Sequence, residues 1–445
     1  MPRLRVFILT ILCALVLASS AAAATSTFLY GVNSGAIDTP STIAVNQLTQ
    51  LPAANVTLFR SNAYWNQTQP TADGPYNWSY DDARITAFSD AGLTWLPLDA
   101  YDISWDESIP NDIFSAPVND APYADFAGAF AARYGPGGTF WAANPQVPYH
   151  PVRSIELWNE ENSATYWHPQ DSTAPARYYQ LYMAAKAAIA AANPQVTAMF
   201  GGLADTYGTY PISWLQQLQA QIPGALANIS ELGWHPYLYS LSATDTELQN
   251  LRALLNSNGA SNTPISITEV GDNTYVTNNN PTPWSQLLTG LVSQLPTSGC
   301  NVNMLLPYIW QDPGSGGAVN PQSWYTLALG DGTLTAPGVA YTTATAQPPT
   351  PAQPGTWCNP ATPKPTVKTP TAPVKAPTPP VKAPPAAKAP KAPSPPVKHP
   401  DPKANAASPN VRAASFSLKG ERVSISRGAK HRRRHRRHHR RRHHR

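Results

Sequence analysis

The sequence predicts an α/β fold in which strands and helices alternate around one closed (β/α)8 barrel, a TIM barrel, followed by an extended segment and a basic tail. Short apolar or β-branched runs recur at intervals of roughly 30 to 60 residues, which leaves room for a helix and loops between neighbouring strands. Eight such runs within residues 25–347 fit one barrel better than two separate domains. The predicted strands are residues 28–33, 56–60, 93–98, 153–159, 196–201, 231–235, 264–269 and 303–310.

Helical patterns fill the intervals between these runs, and the clearest follows the fourth predicted strand. Ser172 with Pro175 is typical of a helix start, and Asn193 with Pro194 ends the pattern. One face carries apolar side chains at helical spacing: Tyr178, Leu181, Tyr182, Ala185 and Ile189. We therefore expect this helix to pack on the barrel.

Residues 1–24 have the composition of a secretory signal peptide. Arg3 and Arg5 precede an apolar run over residues 6–18, and small residues follow up to Ala24. The apolar run is shorter than a comfortable bilayer span. We therefore expect a secreted mature chain that begins at residue 25, with an uncleaved membrane anchor as the alternative.

The composition changes after residue 347. Residues 348–419 are rich in Pro and Lys and repeat Pro-Val-Lys units, which favours an extended polyproline linker with little to bury. Residues 420–445 form a basic tail, and residues 431–445 contain only His and Arg. We expect both segments to be disordered.

Charge is divided unevenly along the chain. Residues 361–445 contain 22 of the 31 Lys and Arg residues but only two of the 26 acidic residues, Asp401 and Glu421. Nine basic and 24 acidic residues remain before position 361, so an acidic barrel carries a cationic tail. We expect the tail to bind an anionic cell-envelope polymer and expect no functional nucleic-acid partner. Alternatively, the tail is itself an active cell-surface or antimicrobial segment and the barrel is its carrier.

Three cysteines occur, and Cys13 would leave with the signal peptide. The mature chain then keeps Cys300 and Cys358, and two cysteines in an oxidising compartment most simply pair. Such a bond would attach the exit of the chain to the barrel. Two buried free thiols are the alternative.

Two of the predicted strands lead into a glutamate. The fourth strand leads into Trp-Asn-Glu-Glu-Asn at residues 158–162, and the seventh ends at Glu269. Catalytic groups collect at the carboxyl ends of barrel strands, so we expect Glu160 and Glu269 to meet in one pocket. Adjacent acids also begin ordinary solvated loops, but such a loop has no need of the Trp and the two Asn.

Hydrolysis of a glycosidic bond needs such a pair of carboxyl groups. One gives a proton to the departing oxygen, while the other attacks the sugar carbon or activates water. Separations of about 5 to 5.5 Å give retention of configuration, and roughly 6.5 to 9.5 Å gives inversion. A carbohydrate-binding protein that has lost turnover is the alternative, and it would be expected to lack one carboxylate.

The motif at residues 158–162 resembles the Trp-Asn-Glu-Pro-Asn signature that follows the fourth strand in clan A glycoside hydrolases. These are retaining (β/α)8 enzymes that include cellulases, mannanases, xylosidases and arabinofuranosidases. The resemblance implies that Glu160 is the acid/base, that Asn159 contacts the sugar 2-hydroxyl and that Glu269 is the nucleophile. Glu161 stands where many members have Pro.

Four further positions are similar to the clan pattern. The resemblance places Arg60, His235 and Tyr237 beside the nucleophile and makes Trp310, at the end of the eighth strand, the floor under the sugar. Physically, Arg60 would keep Glu269 ionised, and the Tyr237 hydroxyl could donate a hydrogen bond to it. The alternatives are an ordinary ion pair for Arg60, a satisfied core histidine for His235 and barrel packing for Trp310.

Aromatic side chains are frequent on the predicted loops at the same end of the barrel, where they would stack on pyranose rings. They are Tyr64, Trp65, Trp78, Tyr101, Trp105, Trp141, Tyr166, Trp167 and Tyr239. The barrel sequence has no Gly-rich phosphate loop and no Cys/His set with zinc spacing, so we expect no metal and no cofactor. We expect a monomeric, secreted retaining glycosidase that acts on an oligo- or polysaccharide.

Overall fold

The computed structural model describes residues 28–34, 48–72, 74–205, 210–274, 279–311, 325–351 and 353–359. The predicted signal peptide, the linker beyond residue 360 and the basic tail lie outside the described residues. Within the described ranges, no helix is both long enough and apolar enough to cross a bilayer.

Eight parallel strands form one closed barrel in chain order. They are β1 (Leu29–Asn33), β2 (Leu58–Tyr64), β3 (Thr94–Ala100), β4 (Ser154–Asn159), β5 (Thr197–Ala204), β6 (Glu231–His235), β7 (Ile265–Ile267) and β8 (Val302–Leu305). Strands β1 and β8 close the barrel, with Leu29 paired to Met304 and Tyr30 to Leu305. The predicted (β/α)8 fold is confirmed.

Helices follow the strands and form an outer layer. They are α1 (Gln50–Ala53), α2 (Trp65–Thr68), α3 (Ser79–Asp90), α4 (Asp120–Tyr134), α5 (Thr139–Ala143), α6 (Ala174–Ala192), α7 (Pro211–Gln221), α8 (Leu241–Ser257), α9 (Thr282–Gln294) and α10 (Ala336–Thr345). Short 3-10 turns occur at Leu226–Asn228 and Leu295–Thr297. Helix α6 has Pro175 in its first turn and buries the predicted apolar face, since Tyr178, Leu181, Tyr182, Ala185 and Ile189 are all buried.

Apolar and polar side chains fill part of the barrel. Five apolar side chains form a buried cluster there: Leu58, Leu96, Met199, Met304 and Leu306. Glu231, at the start of β6, accepts hydrogen bonds from Ser154 at 2.8 Å, Ser266 at 2.6 Å and Asn303 at 2.7 Å. The Glu231 carboxylate is therefore fully hydrogen-bonded within the barrel. In barrels of this kind the active site lies at the carboxyl ends of the strands.

Five strand ends differ from the prediction: β3 ends at Ala100 and β5 at Ala204, each beyond its predicted end, and the other three differences concern site residues. β2 continues to Tyr64 because its pairing with β3 extends to Ala100, so Arg60 lies within the strand. β7 ends at Ile267, which places Glu269 two residues beyond it. β8 ends at Leu305, so Trp310 lies well past the strand rather than at its end.

The chain stays on the barrel beyond α10, farther than the boundary predicted at residue 347. The buried Trp357 side chain donates a hydrogen bond to Gln294 Oε1 at 3.0 Å. Cys358 forms a disulfide with Cys300. The change in composition therefore precedes the last packed residues, because a Trp and a Cys within the Pro-rich segment still anchor it.

Candidate active site

Glu160 lies directly after β4 on a strained stretch of backbone. Its φ is 50° and that of Trp158 is 71°, in the left-handed region that side-chain-bearing residues rarely adopt. Two hydrogen bonds hold the stretch, from Glu160 N–H to the Gly202 carbonyl at 3.1 Å and from Trp158 Nε1 to the Tyr166 carbonyl at 2.5 Å. Such strain costs about 1 to 3 kcal/mol per residue and clusters at functional sites.

Glu269 is held by a hydrogen bond to each carboxylate oxygen. Arg60 Nη1 donates to Oε1 at 2.6 Å, and the Tyr237 hydroxyl donates to Oε2 at 2.6 Å. One of these donors is a cation, which makes the bond charge-assisted and stabilises negative charge on the carboxylate. The side chain is therefore fixed in one orientation at the carboxyl end of the barrel.

The two carboxyl groups converge as the sequence predicts. A carboxylate oxygen of Glu160, one of Glu269 and a ring nitrogen of His235 all lie within 4.8 Å of one another. Such a close approach is nearer to the separation of about 5 to 5.5 Å in glycosidases that retain configuration than to the roughly 6.5 to 9.5 Å in inverting enzymes.

Arg60 occupies the centre of the site and donates to four side chains. It binds Asn33 Oδ1 at 2.8 Å, Asn159 Oδ1 at 3.0 Å, Glu269, and also Glu156 through Nε. Burial opposes the charge of Arg60, but Glu156 and Glu269 outweigh it and raise the pKa above its ordinary value. The guanidinium therefore stays charged and fixes one carboxylate on each side.

His235 is completely buried and connects the pair to the barrel interior. Its Nδ1 lies 3.0 Å from Glu160 Oε1, and its Nε2 lies 3.0 Å from Thr268 Oγ1. Burial lowers the pKa of His235, but the charge of Glu269 and the hydrogen bonds to Glu156 and Glu160 raise it to about 9.

The pKa values of Glu160 and Glu156 are shifted in opposite directions. Burial raises the pKa of Glu160, and the charge of Glu269 adds to this effect against His235 and Arg60. Burial also acts on Glu156, but Arg60 and His235 overcome it and lower the pKa of that group to about 2. Glu160 is thus suited to carry a proton, as a general acid must, while Glu156 is a fixed negative charge.

Tyrosines surround the carboxyl pair. Burial raises the pKa of Tyr166 and of Tyr308, and the negative charges of Glu160 and Glu269 raise both further, which reflects their proximity to the pair. Tyr101 stacks on Tyr166 with ring centroids 6.2 Å apart and an interplanar angle of 11°. These partly exposed rings supply aromatic surface for a sugar ring.

The structure does not bring Trp310 to the pair. This side chain is 2% exposed and packs in the hydrophobic core, while Tyr308 lies among the charged groups. The prediction that Trp310 forms the floor under the sugar is therefore wrong. β8 ends at Leu305, and the buried Trp310 lies five residues beyond it. Three tryptophans predicted on sugar-binding loops are also core residues: Trp65, Trp141 and Trp167.

Four residues of the site were missed from the sequence: Asn33, Glu156, Thr268 and Tyr308. Glu156 had a usable signal, because it stands between Ile155 and Leu157 in a buried strand, and carboxylates are almost never fully buried unless paired. Thr268 immediately precedes Glu269 and could have been considered with it. Asn33 and Tyr308 carry no local signal, because their roles depend on which strands meet across the barrel.

Three side chains of the site carry atoms of the kind that bind metal ions. Within the described ranges, Glu160, His235 and Glu269 are close enough together to surround an ion. However, Glu269 already accepts hydrogen bonds on both oxygens, one of them from the Arg60 cation. This donor set fits a proton-transfer site better than a cation site.

Solved structures that are similar to this chain have the same barrel fold. A monomeric β-xylosidase from Caulobacter crescentus CB15 has a TM-score of 0.54 at 17% identity over 72% of this chain and 68% of that chain. A family 39 glycoside hydrolase from Bacteroides cellulosilyticus WH2 has a TM-score of 0.51 at 14% identity, covering 72% and 64%. A GH5_18 protein from Streptomyces cattleya in complex with GlcNAc has a TM-score of 0.50 at 16% identity, covering 73% and 82%.

No protein-family model and no curated protein matches the sequence. At identities below 20%, the likeness to solved structures establishes the eight-stranded parallel barrel, the fold of clan A glycoside hydrolases. The fold alone does not determine the activity, which depends on the side chains of the site.

Proposed function

We propose that this protein is a retaining O-glycoside hydrolase that cleaves an oligo- or polysaccharide. One observation carries the proposal: Glu160 and Glu269 place carboxylate oxygens within 4.8 Å of each other in opposite electrostatic settings. Glu269 is fixed by Arg60 and Tyr237, whereas the pKa of Glu160 is raised by burial and by Glu269. A fixed carboxylate beside a protonated one is what double displacement requires.

The reaction takes place in two steps. Glu269 attacks the anomeric carbon while Glu160 gives its proton to the departing oxygen, which leaves as an alcohol and yields a glycosyl ester on Glu269. Ester formation removes the charge of Glu269, so the pKa of Glu160 falls and the group can act as a base. It then takes a proton from water, whose oxygen attacks the anomeric carbon and releases Glu269.

Substitution of the two glutamates tests the assignment. With aryl glycosides and purified residues 25–445, Glu269→Ala should remove turnover, and Glu160→Ala should retain slow turnover on substrates with good leaving groups. Azide should restore that variant by forming a glycosyl azide of retained configuration, because the small anion replaces water without needing a base. Asp90→Ala, an exposed carboxylate at the end of α3, serves as the control and should behave as the parent protein.

The substrate range should be tested with β-linked sugars. Similar structures are described as a β-xylosidase, a glucosidase and a GH5_18 protein in complex with Manβ1-4GlcNAc. Aryl β-xylosides, β-glucosides and β-mannosides therefore form the first panel, followed by oligosaccharides. Wild-type activity in the Glu269→Ala variant, or inversion of configuration in the released sugar, would refute the mechanism.

We also propose that the chain is secreted and that residues 420–445 hold it on an anionic envelope polymer. The signal-like residues 1–24 and the 22 basic residues beyond position 360 support this proposal. Deletion of residues 420–445 should release the protein from the envelope, and wild-type protein should be released by salt. A variant with every tail Arg replaced by Gln keeps the length of the tail and should be released too, whereas Arg-to-Lys replacement should preserve binding. Retention of the deletion variant would contradict the proposal.

A further inference from the structure

A continuous series of polar contacts connects the two proposed catalytic glutamates through the barrel interior. It runs from Glu160 through His235, Thr268, Glu156 and Arg60 to Glu269. Its least expected member is Glu156, which lies within β4 and is fully buried. A buried carboxylate that is used in neither chemical step needs a separate explanation.

The donors and acceptors in this series follow from their chemistry. Glu156 is an ionised carboxylate and can only accept, so the Thr268 hydroxyl, 2.8 Å away, must donate to Glu156 Oε1. The Thr268 oxygen is then available as an acceptor for His235 Nε2 at 3.0 Å, and that nitrogen must carry a proton. His235 Nδ1 is left facing Glu160 Oε1 at 3.0 Å.

We propose that Glu156 is a positioning residue which, through Thr268, fixes the proton of His235 on Nε2 and thereby makes Nδ1 and Glu160 share a single proton. That proton is the one that Glu160 delivers to the departing sugar oxygen. The use of the proton rests on the proposed glycosidase function, whereas the hydrogen-bond arrangement does not. While the proton lies on either atom, the pair of side chains has no net charge.

The charges around His235 support this arrangement. Charged groups from several strands and the loops that follow them act on His235: Arg60 from β2, Glu156, Glu160 and Glu161 from β4 and its loop, Asp205 after β5, and Glu269 after β7. Tyr237, in the loop after β6, donates to Glu269. When the proton leaves, Glu160 becomes negative as Glu269 becomes a neutral ester. The total charge of the buried cluster therefore stays constant through the first step, which limits the cost of moving charge in a dry site.

Two glycines make the arrangement possible. A Cβ at Gly202 in β5 would overlap His235 Nε2 and lie 2.8 Å from Glu156 Oε1. A Cβ at Gly233 in β6 would lie 3.0 Å from the same oxygen. Neighbouring strands β5 and β6 thus carry no side chain at the two positions next to Glu156 and His235, which leaves room for both.

Substitution of Glu156 by Gln should reverse the tautomer of His235. Arg60 offers only donors, so the amide of the Glu156→Gln variant must turn its carbonyl toward Arg60 and its NH₂ toward Thr268. The Thr268 oxygen then accepts from that NH₂, and its hydroxyl proton turns to His235 Nε2, which must be deprotonated. The ¹⁵N shifts of His235 in the ¹⁵N-histidine-labelled full chain report this, and His235→Gln identifies the resonances. Nε2 should change from protonated to unprotonated character.

Variants at Thr268 provide an independent test. Thr268→Val keeps the shape but removes the hydroxyl that accepts from Nε2, and the next acceptor, Glu156 Oε1, is 3.7 Å away, beyond hydrogen-bond distance, so Nε2 should lose protonated character. Thr268→Ser keeps the hydroxyl and should preserve the wild-type pattern. Glu231→Gln is the matched control, because Glu231 is another buried, hydrogen-bonded glutamate of the barrel interior that is not part of the series. Unchanged Nε2 shifts in both Glu156→Gln and Thr268→Val would overturn the proposal.

The activity measurement separates this proposal from the proposed function. On an aryl glycoside with a poor leaving group, kcat/KM of Glu156→Gln should fall by about 10²-fold, the lower range of what a positioned general acid contributes. On a substrate with a good leaving group, which needs less protonation, the loss should be much smaller. Equal losses on both substrates would count against Glu156 as a proton-positioning residue. A wild-type protein without turnover whose variants still show the tautomer change would instead contradict only the glycosidase assignment.

Discussion

Glu161 directly follows the proposed acid/base, yet its side chain is enclosed in the protein. It is fully buried against Gly201, and neither carboxylate oxygen accepts a hydrogen bond from another residue within the described ranges. Burial raises the pKa of Glu161 far above its ordinary value, and the negative charge of Glu156 adds to this. Burial therefore favours the neutral carboxylic acid form of Glu161, at the position where the clan signature has an uncharged Pro.

Glu161 should consequently destabilise the protein as pH rises. Its folded pKa lies above the unfolded value of about 4.3, so the folded state holds a proton that the unfolded state has lost. Between those two pKa values, the free energy of unfolding decreases by about 1.4 kcal/mol per pH unit from this group. Glu161→Gln removes the titration and should raise Tm at pH 7 but not at pH 4. Calorimetry at both pH values checks this, and an equal Tm change at pH 4 and 7 would exclude the explanation.

Individual site residues could be predicted where chemistry is encoded in a local motif. Glu160 and Asn159 follow from one five-residue stretch, and Glu269 follows from its place after a β-branched run. Trp310 was placed wrongly because a tryptophan can lie in a hydrophobic core as well as in a sugar-binding cleft. Whether it lies in the core or in the cleft depends on where β8 ends, which the sequence does not show. Tyr308, which lies near the pair, has no local sequence signal.

Strands β4, β5 and β6 form the element that holds the proton-carrying side of the site. β4 carries Glu156 and leads into Glu160, β6 ends at His235, and β5 lies between them with Gly202 at the point of closest approach. The sequence could locate these strands because each contains a short run rich in apolar residues. It could not show why a glycine is needed in β5, because the crowding comes from two other strands.

Gly202→Ala should therefore damage both stability and activity. The added Cβ overlaps His235 Nε2, and both the histidine and Glu156 are held by strand backbone, so neither can move away freely. Overpacking of this kind costs about 1 to 3 kcal/mol. We expect a lower Tm and a lower kcat/KM on aryl glycosides than in the parent protein. Gly330→Ala is the control, because a Cβ at Gly330 meets no atom within 4 Å, and it should change neither measurement.

At the scale of the whole molecule, the repeating strand and helix pattern was sufficient to predict the closed barrel. The regular spacing of eight apolar runs determines the number and order of strands, since parallel neighbours need a crossover between them. The predicted boundary at residue 347 follows the change in composition, whereas Trp357 and Cys358 beyond it are still packed on the barrel. For Cys358 the sequence carried a signal, because its expected partner was Cys300. Substrate choice depends on loops, whose shape follows from no periodic pattern.

The disulfide between Cys300 and Cys358 should stabilise the barrel without affecting its chemistry. It closes 58 residues that contain β8 and α10, and it lies before β8, at the opposite end of the barrel from the carboxyl ends that build the site. The loss of unfolded-state entropy predicts about 4 kcal/mol of stabilisation for a loop of this length. Replacing both cysteines by Ala should therefore lower the urea midpoint by a corresponding amount. In native buffer kcat should stay at the parent value, because Glu160, Glu269 and their hydrogen-bond partners are unchanged. A fall in kcat of the folded variant would mean that the bond also positions β8 at the site, and an unchanged urea midpoint would mean that the cysteines do not pair in the native protein.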